Sequence, residues 1–258
     1  MDKLILIAGP CAVESREVVF RIAEHLKVIE ERYNLRLIFK GSYRKANRSD
    51  LKSFTGIGDE VALKILAEAR DHFGFETITD VHESHEPEMA ASYVDHLQIP
   101  AFLCRQTELL LAAGKHAKAV NIKKGQFLSP EAMKFPLEKV QSTGCKEVWL
   151  CERGVTFGYQ DLIVDATSVH RMKGLGAKVI MDCTHATQKP NRAEGVTGGD
   201  PAMIGTLALS AVATGADGLF IETHPEPSQA LSDPHTMLAL EGLEPIIKKV
   251  LRVREALA

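Results

Sequence analysis

Residues 4–11 read LILIAGPC, an apolar run that ends at Gly9-Pro10-Cys11. A run this short suits a buried strand better than a buried helix. In a dinucleotide-binding open sheet, the first strand leads into a glycine-rich turn of the form GxGxxG. Gly9-Pro10-Cys11 is not that turn, so the segment favours another kind of parallel α/β fold.

Seven more apolar runs of similar length follow, several of them rich in Val, Ile and Phe. Because these runs are nearly continuous rather than alternating, we expect strands that are buried on both faces, as in a parallel sheet covered by helices. After the first predicted strand, Leu4–Ala8, the others are Leu35–Lys40, Phe75–Thr79, His96–Ile99, Ala119–Ile122, Glu147–Cys151, Ala177–Met181 and Gly218–Glu222.

Segments with a helical period separate these runs. The buried face predicted for Glu17–Arg32 consists of Val18, Ile22, Leu26 and Ile29, and that for Asp59–His72 consists of Val61, Ile65, Leu66 and Ala69. Ser129-Pro130 and Asp200-Pro201 each join a capping residue to a proline at the first helical position. Each pair predicts a helix start, the second one before Ala202–Thr214.

Eight strands that alternate with helices predict a single (β/α)8 TIM barrel, with residues 1–258 forming one domain. An open doubly wound sheet is the alternative. No Pro- or Ser-rich linker divides the chain. The least regular segments, 40–58, 152–165, 185–199 and 223–235, each follow a predicted strand, which would put them on the catalytic face of the barrel.

The composition argues against several classes of protein. A formal net charge of −3 gives no general attraction to nucleic acid or to a membrane. The five cysteines are odd in number and scattered, which does not fit a disulfide framework. Met1-Asp2-Lys3 leads into an apolar run too short for a signal peptide, and no run approaches the ~18 residues of a membrane span. We therefore expect a protein of the reducing cytoplasm.

Cationic side chains recur just after the predicted strands, and all of them would face one mouth of the barrel. Gathering several cations in a slightly acidic protein costs self-repulsion, which bound anions would relieve. The pattern predicts a site for anionic, phosphate-bearing substrates, whereas any single lysine could also be a solvated loop residue. The cations are Lys40, Lys45, Arg48, Lys123 and Arg153.

A second cluster comes from the first strand and the last two, which are neighbours in a closed barrel. It consists of Cys11, His185, Glu222 and Asp233. A thiolate, an imidazole and two carboxylates suit a divalent transition metal. The alternative is that Cys11 is a small packed residue and that Glu222 pairs with a lysine of the rim.

These strand-end blocks resemble those of the 3-deoxy-D-manno-octulosonate 8-phosphate synthases, in order, from about Leu4 to Glu255. The matching blocks are Ile7–Cys11, Phe39–Ser42, Lys45–Ser49, Gln98–Phe102, Asn121–Phe127, Cys151–Gly154, Asp182–Ala186 and Glu222–Pro227. Members of this family condense phosphoenolpyruvate with D-arabinose 5-phosphate and water, and release phosphate. The resemblance implies an enzyme of lipopolysaccharide inner-core sugar biosynthesis and a homotetramer.

The resemblance also implies roles for single residues. Lys40, Lys45, Lys123 and Arg153 match ligands of the phosphate and carboxylate of phosphoenolpyruvate, and Asn47, Arg48 and Ser49 match contacts to the sugar and its phosphate. Asp80, Gln98 and Phe102 would line the pocket between them. Residues 154–160 and 188–197, Gln188 included, would cover the site during the reaction. The residues expected to take part in catalysis are Cys11, Lys45, Asn47 and His185.

The family has a metal-requiring branch and a metal-free branch, in which an asparagine stands at the position of Cys11. The cysteine here, together with His185, Glu222 and Asp233, implies the metal-dependent form. Such an ion could polarise the aldehyde oxygen or activate a water molecule, and both roles stay open. A thiolate ligand favours zinc, iron, manganese or a similar ion over magnesium.

Two positions depart from the common pattern of the family. Asp50 stands where many relatives carry a second serine, so that it could weaken the sugar-phosphate contact or simply face solvent. Tyr43-Arg44 replaces a more common Phe-Asp pair, and Arg44 could add to the anion field or be solvated.

Two other functions remain as alternatives. The related synthase for erythrose 4-phosphate usually carries Lys-Pro-Arg-Thr where this chain has Lys45-Ala46-Asn47-Arg48, which favours the five-carbon sugar. A non-catalytic phosphosugar-binding barrel would be expected to lack some of the ligands or cations, and no such loss is found.

Overall fold

A computed structural model describes residues 2–48, 50–159, 161–189 and 198–258 of the chain. Eight parallel strands form its centre, and each pairs with the next in chain order. They are β1 Ile5–Gly9, β2 Arg36–Lys40, β3 Glu76–Asp80, β4 His96–Ile99, β5 Ala119–Lys123, β6 Glu147–Glu152, β7 Lys178–Asp182 and β8 Gly218–His224.

One α-helix follows each strand. The helices are α1 Arg16–Tyr33, α2 Asp59–Phe73, α3 Glu86–Ala91, α4 Thr107–His116, α5 Lys134–Gln141, α6 Ser168–Lys173, α7 Ile204–Ala213 and α8 Leu243–Ala256. Within the described ranges, no helix is both long enough and apolar enough to cross a membrane.

The sheet closes on itself, because β8 pairs with β1 in the register Ile5↔Gly218 to Gly9↔Glu222. Gly218 makes this closure possible: a Cβ atom there would lie 2.7 Å from the Ile5 Cβ. The predicted TIM barrel is therefore confirmed, and the open sheet is excluded. All eight predicted strands are present, with ends that differ from the predicted ones by at most two residues.

The core has two parts. Nine buried side chains fill the inside of the barrel: Ile5, Ile7, Ile38, Ile78, Ala119, Trp149, Cys151, Ile180 and Phe220. A larger set packs between the strands and the helices. The predicted buried face of α2 is wrong at one position, since Val61 is 53% exposed. The residues buried there are Ala62, Leu63, Leu66 and Ala69, which turns the face by one position.

The helix starts show how local sequence positions the elements. The Ser15 hydroxyl accepts a hydrogen bond from Val18 N and so caps α1, which ends at Asn34 in a left-handed conformation. The starts predicted at Ser129-Pro130 and Asp200-Pro201 are single 3-10 turns, Glu131–Met133 and Pro201–Met203. The α-helices α5 and α7 begin directly after these turns.

The irregular segments extend from the carboxyl ends of the strands, as predicted. A bridge between Val155 and Ile163 folds the loop after β6 into a hairpin. After β7, Gln188–Lys189 pairs antiparallel with Gly198–Gly199. Ser49, Gln160 and residues 190–197, to which roles in sugar binding or site closure were predicted, lie outside the described residues.

Candidate active site

A cavity of about 290 Å³ opens at the carboxyl ends of the strands. It brings together most of the residues singled out from the sequence. The lining includes Lys40, Lys45, Asn47, Asp80, Gln98, Phe102, Lys123, Arg153, His185, Gln188, Glu222 and Asp233. Cys11 lies just behind this lining, and Arg48 lies to one side of it.

Close packing of β1 against β2 brings the first two strand ends to the cavity. A Cβ atom on Gly9 would lie 2.0 Å from the Lys40 carbonyl oxygen, so only glycine fits at this position. Lys40 Nζ then donates to the Cys11 carbonyl at 2.9 Å. The Gly9-Pro10-Cys11 segment therefore places the thiol beside the lysine.

Two of the predicted cations are neutralised by buried carboxylates. Lys40 Nζ lies 2.7 Å from Glu222 Oε1, and Lys123 Nζ lies 2.6 Å from Asp182 Oδ2. The prediction that the rim cations repel one another is therefore wrong for these two lysines. Carboxylates that are distant in the sequence neutralise their positive charges. The alternative that Glu222 pairs with a rim lysine is confirmed, although only one of its two oxygens is used.

Lys45 and Arg153 differ from these lysines. Within the described part of the chain, neither has a carboxylate oxygen within 4.0 Å. Burial alone would lower the pKa of Lys45, but the nearby carboxylates of Glu222, Asp80 and Asp233 raise it, so the ammonium stays charged. Arg153 Nη2 donates to Gln188 Oε1 at 2.6 Å, while buried Nη1 has no partner among the described residues. Two cations thus remain for an anion.

Arg48 does not line the cavity. Its Nη1 lies 3.0 Å from Asp233 Oδ1, its Nε donates to the Phe54 carbonyl at 3.2 Å, and its Nη2 contacts Ser232 Oγ. The expectation that Arg48 faces the same mouth as the other cations is therefore not met in this conformation, because Asp233 holds it. Asn47 is exposed on the lining, as a sugar contact would need to be.

The four candidate metal ligands form two pairs. Cys11 Sγ lies 3.2 Å from Asp233 Oδ2, and His185 Nε2 lies 3.5 Å from Glu222 Oε2. In the ranges that the structure describes, no three His, Cys, Asp or Glu side chains converge closely enough to hold an ion. Burial and the nearby Glu222 carboxylate raise the pKa of the Cys11 thiol to about 12, so the protonated thiol is favoured in this arrangement.

The donor chemistry nevertheless fits a divalent ion. Glu222 Oε2 is buried without a hydrogen-bond partner among the described residues, which is costly unless a ligand satisfies it. His185 Nδ1 pairs with Asp182 Oδ2 at 2.8 Å, which leaves Nε2 facing Glu222. A carboxylate that orients the far nitrogen of an imidazole is a recurrent feature of metal sites.

Comparison with known proteins identifies the family of this chain. The sequence profile of the DAHP synthetase I family matches residues 1–257. The chain belongs to the DAHP synthetase I family. Its relatives include the 2-dehydro-3-deoxyphosphooctonate aldolase of Brucella canis, 45% identical over 98% of this chain and 93% of the relative. The protein of that name from Campylobacter jejuni is 44% identical over 98% of this chain and 97% of the relative. The resemblance to the octulosonate synthases is thereby confirmed.

Several polar residues of the site had no role predicted from the sequence. Asp182 accepts hydrogen bonds from Thr184 N and His185 N and also pairs with Lys123. Its position at the end of β7, before Cys183-Thr184-His185, was the available signal. Burial opposes ionisation of Asp182, but His185 and Lys123 lower its pKa strongly, so it stays a carboxylate.

Ser42 and His82 link Asp80 to the rest of the site. Ser42 Oγ accepts from Lys40 Nζ at 2.9 Å and donates to Asp80 Oδ1. His82 Nε2 lies 3.1 Å from Asp80 Oδ2. Burial would lower the pKa of His82, but Asp80 and Glu86 raise it to about 9, so the ring is cationic at neutral pH.

The two departures from the family pattern can now be placed. Arg44 lies 3.1 Å from Asp59 and contacts Glu86, so it does not add to the anion field. Asp50 is exposed, and its Oδ1 accepts from Lys52 N at 2.9 Å, so it faces solvent and stabilises its own turn.

Proposed function

We propose that this protein condenses phosphoenolpyruvate with D-arabinose 5-phosphate and water to give 3-deoxy-D-manno-octulosonate 8-phosphate and phosphate. The observation that carries the proposal is a cavity in which Lys45 and Arg153 lack a carboxylate partner, in a chain 45% identical to a 2-dehydro-3-deoxyphosphooctonate aldolase. In this reaction, C3 of the enol attacks the sugar aldehyde, water adds at C2, and phosphate leaves with cleavage of the C2–O bond.

The cationic side of the cavity would bind phosphoenolpyruvate. Lys45, Lys123 and Arg153 present ammonium and guanidinium donors, which suit a phosphate and a carboxylate. Lys40 would hold Glu222 in place and contribute to the same field. Asn47, Arg48 and Ser49 would bind the sugar phosphate, with Asp80, Gln98 and Phe102 between the two substrates. For Arg48 this requires release from Asp233.

We also propose that Cys11, His185, Glu222 and Asp233 hold one divalent metal ion, such as zinc, iron or manganese. When bound, such an ion supplies Lewis acidity toward an aldehyde oxygen or a water molecule. Glu222 Oε2, which has no hydrogen-bond partner among the described residues, and His185 Nε2, which lies 3.5 Å from it, support this assignment. Binding would require the Cys11 thiol to lose its proton, so metal affinity should rise with pH.

Phosphate release with each aldose tests the reaction. We expect turnover of phosphoenolpyruvate with arabinose 5-phosphate and at least about tenfold lower kcat/KM with erythrose 4-phosphate, since a missing polar contact is costly in a site built for it. Preference for the four-carbon sugar would replace the proposed substrate. Phosphoenolpyruvate binding without turnover, with every divalent metal tried, would indicate a binding barrel instead.

Metal content measured beside activity tests the proposed ion. Exhaustive chelation should abolish turnover and zinc, iron or manganese should restore it; full activity with no metal found would rule the ion out. Cys11→Ser and His185→Gln should both lose bound metal. Cys183→Ser is the matched control, because Cys183 is a buried thiol at the end of β7 that does not line the cavity. Cys11→Asn makes the substitution of the metal-free branch and should leave part of the activity without metal.

We further propose that the protein acts as a cytoplasmic homotetramer in the synthesis of the lipopolysaccharide inner core. The family resemblance is the support for this assignment. Sedimentation equilibrium should give four times the mass of the chain, and a monomer at micromolar concentration would contradict it.

A further inference from the structure

Lys124 and Glu152 form a buried ion pair at the carboxyl ends of β5 and β6, next to Lys123 and Arg153 in the sequence. Lys124 Nζ lies 3.3 Å from Glu152 Oε1, and the two residues are 0% and 1% exposed. Successive side chains of a strand point to opposite faces. Lys123 and Arg153 line the cavity, whereas Lys124 and Glu152 do not, and Glu152 contacts Ser168 at the start of α6.

The Glu152 carboxylate accepts hydrogen bonds that fix the next turn of the chain. Its Oε1 accepts from Arg153 N at 2.9 Å and from Gly154 N at 2.7 Å, and its Oε2 accepts from Ser168 Oγ. Gly154 has φ 85°, a left-handed conformation that a side chain rarely adopts. Both backbone N–H groups of this turn thus depend on a single carboxylate oxygen.

The turn determines where the Arg153 side chain points. Arg153 is 5% exposed, and its Nη1 is buried without a partner in the part of the chain that the structure describes. Lys40 and Lys123 each contact a buried carboxylate, and that carboxylate competes with any bound anion for the ammonium group. Glu152 holds Arg153 through the backbone and leaves guanidinium Nη1 available for an anion, while Nη2 donates to Gln188.

We propose that Glu152 is a positioning residue for anion binding. With Lys124 and Ser168, it fixes the Arg153-Gly154 turn so that the guanidinium points at the phosphate or carboxylate of phosphoenolpyruvate. The name of the anion rests on the proposed function, whereas the positioning role requires only that the cavity binds an anion. Inorganic phosphate is therefore the probe.

A double-mutant cycle tests whether Glu152 acts through Arg153. The cycle is built on Lys124→Met, so that loss of the carboxylate leaves no buried ammonium unpaired. In this background, Glu152→Ala and Arg153→Ala should each raise the Kd of inorganic phosphate about tenfold, as expected for one charge-assisted hydrogen bond, and the combination should raise it no further. Additive effects of about a hundredfold, or an unchanged Kd in Glu152→Ala, would overturn the proposal.

A conservative variant separates positioning from general stability. Glu152→Gln keeps an oxygen at the Oε1 position, so in the Lys124→Met background its phosphate Kd should stay within about threefold of that of the background protein. A purely structural role predicts that the Ala and Gln variants differ in urea unfolding but bind phosphate equally, which would contradict positioning.

A milder change covers the case in which the Glu152 variants do not fold. Ser168→Ala in the otherwise natural chain removes one hydrogen bond to Oε2, so the KM for phosphoenolpyruvate should rise about threefold, with a smaller change in kcat. An unchanged KM would count against the proposal. If the natural protein binds phosphate but turns over no aldose, the proposed function fails, while the cycle still decides the role of Glu152.

Discussion

The two ends of the barrel both carry clusters of charge, but they use it differently. At the base, where the strands begin, Arg36 lies 2.8 Å from Glu76 and 2.7 Å from Glu147. Trp149 Nε1 donates to Glu147 at 2.9 Å, and His96 Nε2 lies 3.1 Å from Glu76. These contacts join β2, β3, β4 and β6 at the base of the barrel.

The mouth holds more charged side chains and leaves some of their atoms without a partner. Among the described residues, Glu222 Oε2 and Arg153 Nη1 are buried without a hydrogen-bond partner, whereas at the base Arg36, Glu76 and Glu147 have no such atom and only the ring nitrogen Nδ1 of His96 has none. Buried polar atoms are nearly always paired in folded proteins. The contrast indicates that the charged groups of the base stabilise the fold, whereas some charged groups of the mouth remain available to bind a ligand.

The largest expected effect is on activity at the mouth. Lys123→Met removes a cation from the cavity and leaves the buried Asp182 carboxylate without its lysine partner, so kcat/KM for phosphoenolpyruvate should fall at least about a thousandfold. Lys178→Met at the base is the matched control, with a change of less than about twofold, because its ammonium lies 3.9 Å from Glu147 and far from the cavity. Steady-state phosphate release measures both variants. Residual activity above a tenth in Lys123→Met would break the comparison.

The next effect is on stability at the base. Arg36→Met leaves Glu76 and Glu147 without their shared partner, and the free energy of unfolding should fall by about 2 kcal/mol. This value allows for the 27% exposure of the Arg36 side chain. Urea denaturation measures the change. Because the base is separate from the site, kcat/KM of the folded variant should stay within about twofold, and a larger loss would show that the two ends are coupled.

A smaller effect separates the two ends by pH. The hydrogen bond from His96, with help from Arg36, lowers the pKa of Glu76 to about 2, so its stabilisation is complete above pH 4.5 and is lost as the pH falls toward 2. His82 at the mouth has a pKa raised to about 9, so its stabilisation is complete below pH 6.5 and is lost as the pH rises toward 9. Unfolding free energies across pH should show Glu76→Gln removing about 1 kcal/mol of the acid-side change, and His82→Asn removing part of the alkaline-side change.

Either pH effect could fail on its own. An acid-side slope that is the same in Glu76→Gln and in the natural chain would show that the carboxylate of the base gains nothing from folding. An alkaline-side slope unaffected by His82→Asn would show the same for the imidazole. If both pH effects were absent, the two ends of the barrel would differ in their effects on activity but not in the pH dependence of stability.

The smallest effect is expected at Asp50. This residue is exposed and bonds within its own turn, so Asp50→Ser should change the KM for arabinose 5-phosphate by less than about twofold and stability by less than about 0.5 kcal/mol. A marked fall in KM would show that the carboxylate opposes the sugar phosphate after all.

The sequence predicted the barrel well because buried parallel strands are nearly continuous in apolar residues. The predicted strand ends were early where the last strand residue is charged, as at Asp80, Lys123, Glu152 and Asp182. Those residues belong to the strands but face the mouth or the helix layer, so they break the apolar pattern. Val61 was misplaced because periodicity gives the width of a helix face but not its rotation against the sheet.

The candidate site was predictable in its residue types but not in its pairing. The strand-end rule brought Lys40, Arg153 and His185 to one cavity, as the structure shows. It could not pair Lys123 with Asp182, which is 59 residues away, or turn Arg48 toward Asp233 at a separation of 185 residues. Such contacts depend on side-chain rotamers and on which of several nearby opposite charges each group pairs with. Neither leaves a periodic signal in the sequence.

Closure of the barrel by β8 against β1 has a consequence for the order of synthesis. Cys11 and Asp233 are in contact across 222 residues of chain, so the first strand must keep one edge unpaired until nearly all of the others have been translated. The cations of β2, β5 and β6 exist as a group well before this. The corner of the site formed by Cys11, Glu222 and Asp233 is therefore assembled last, and a chain that stops short of β8 carries the anion-binding residues without that corner.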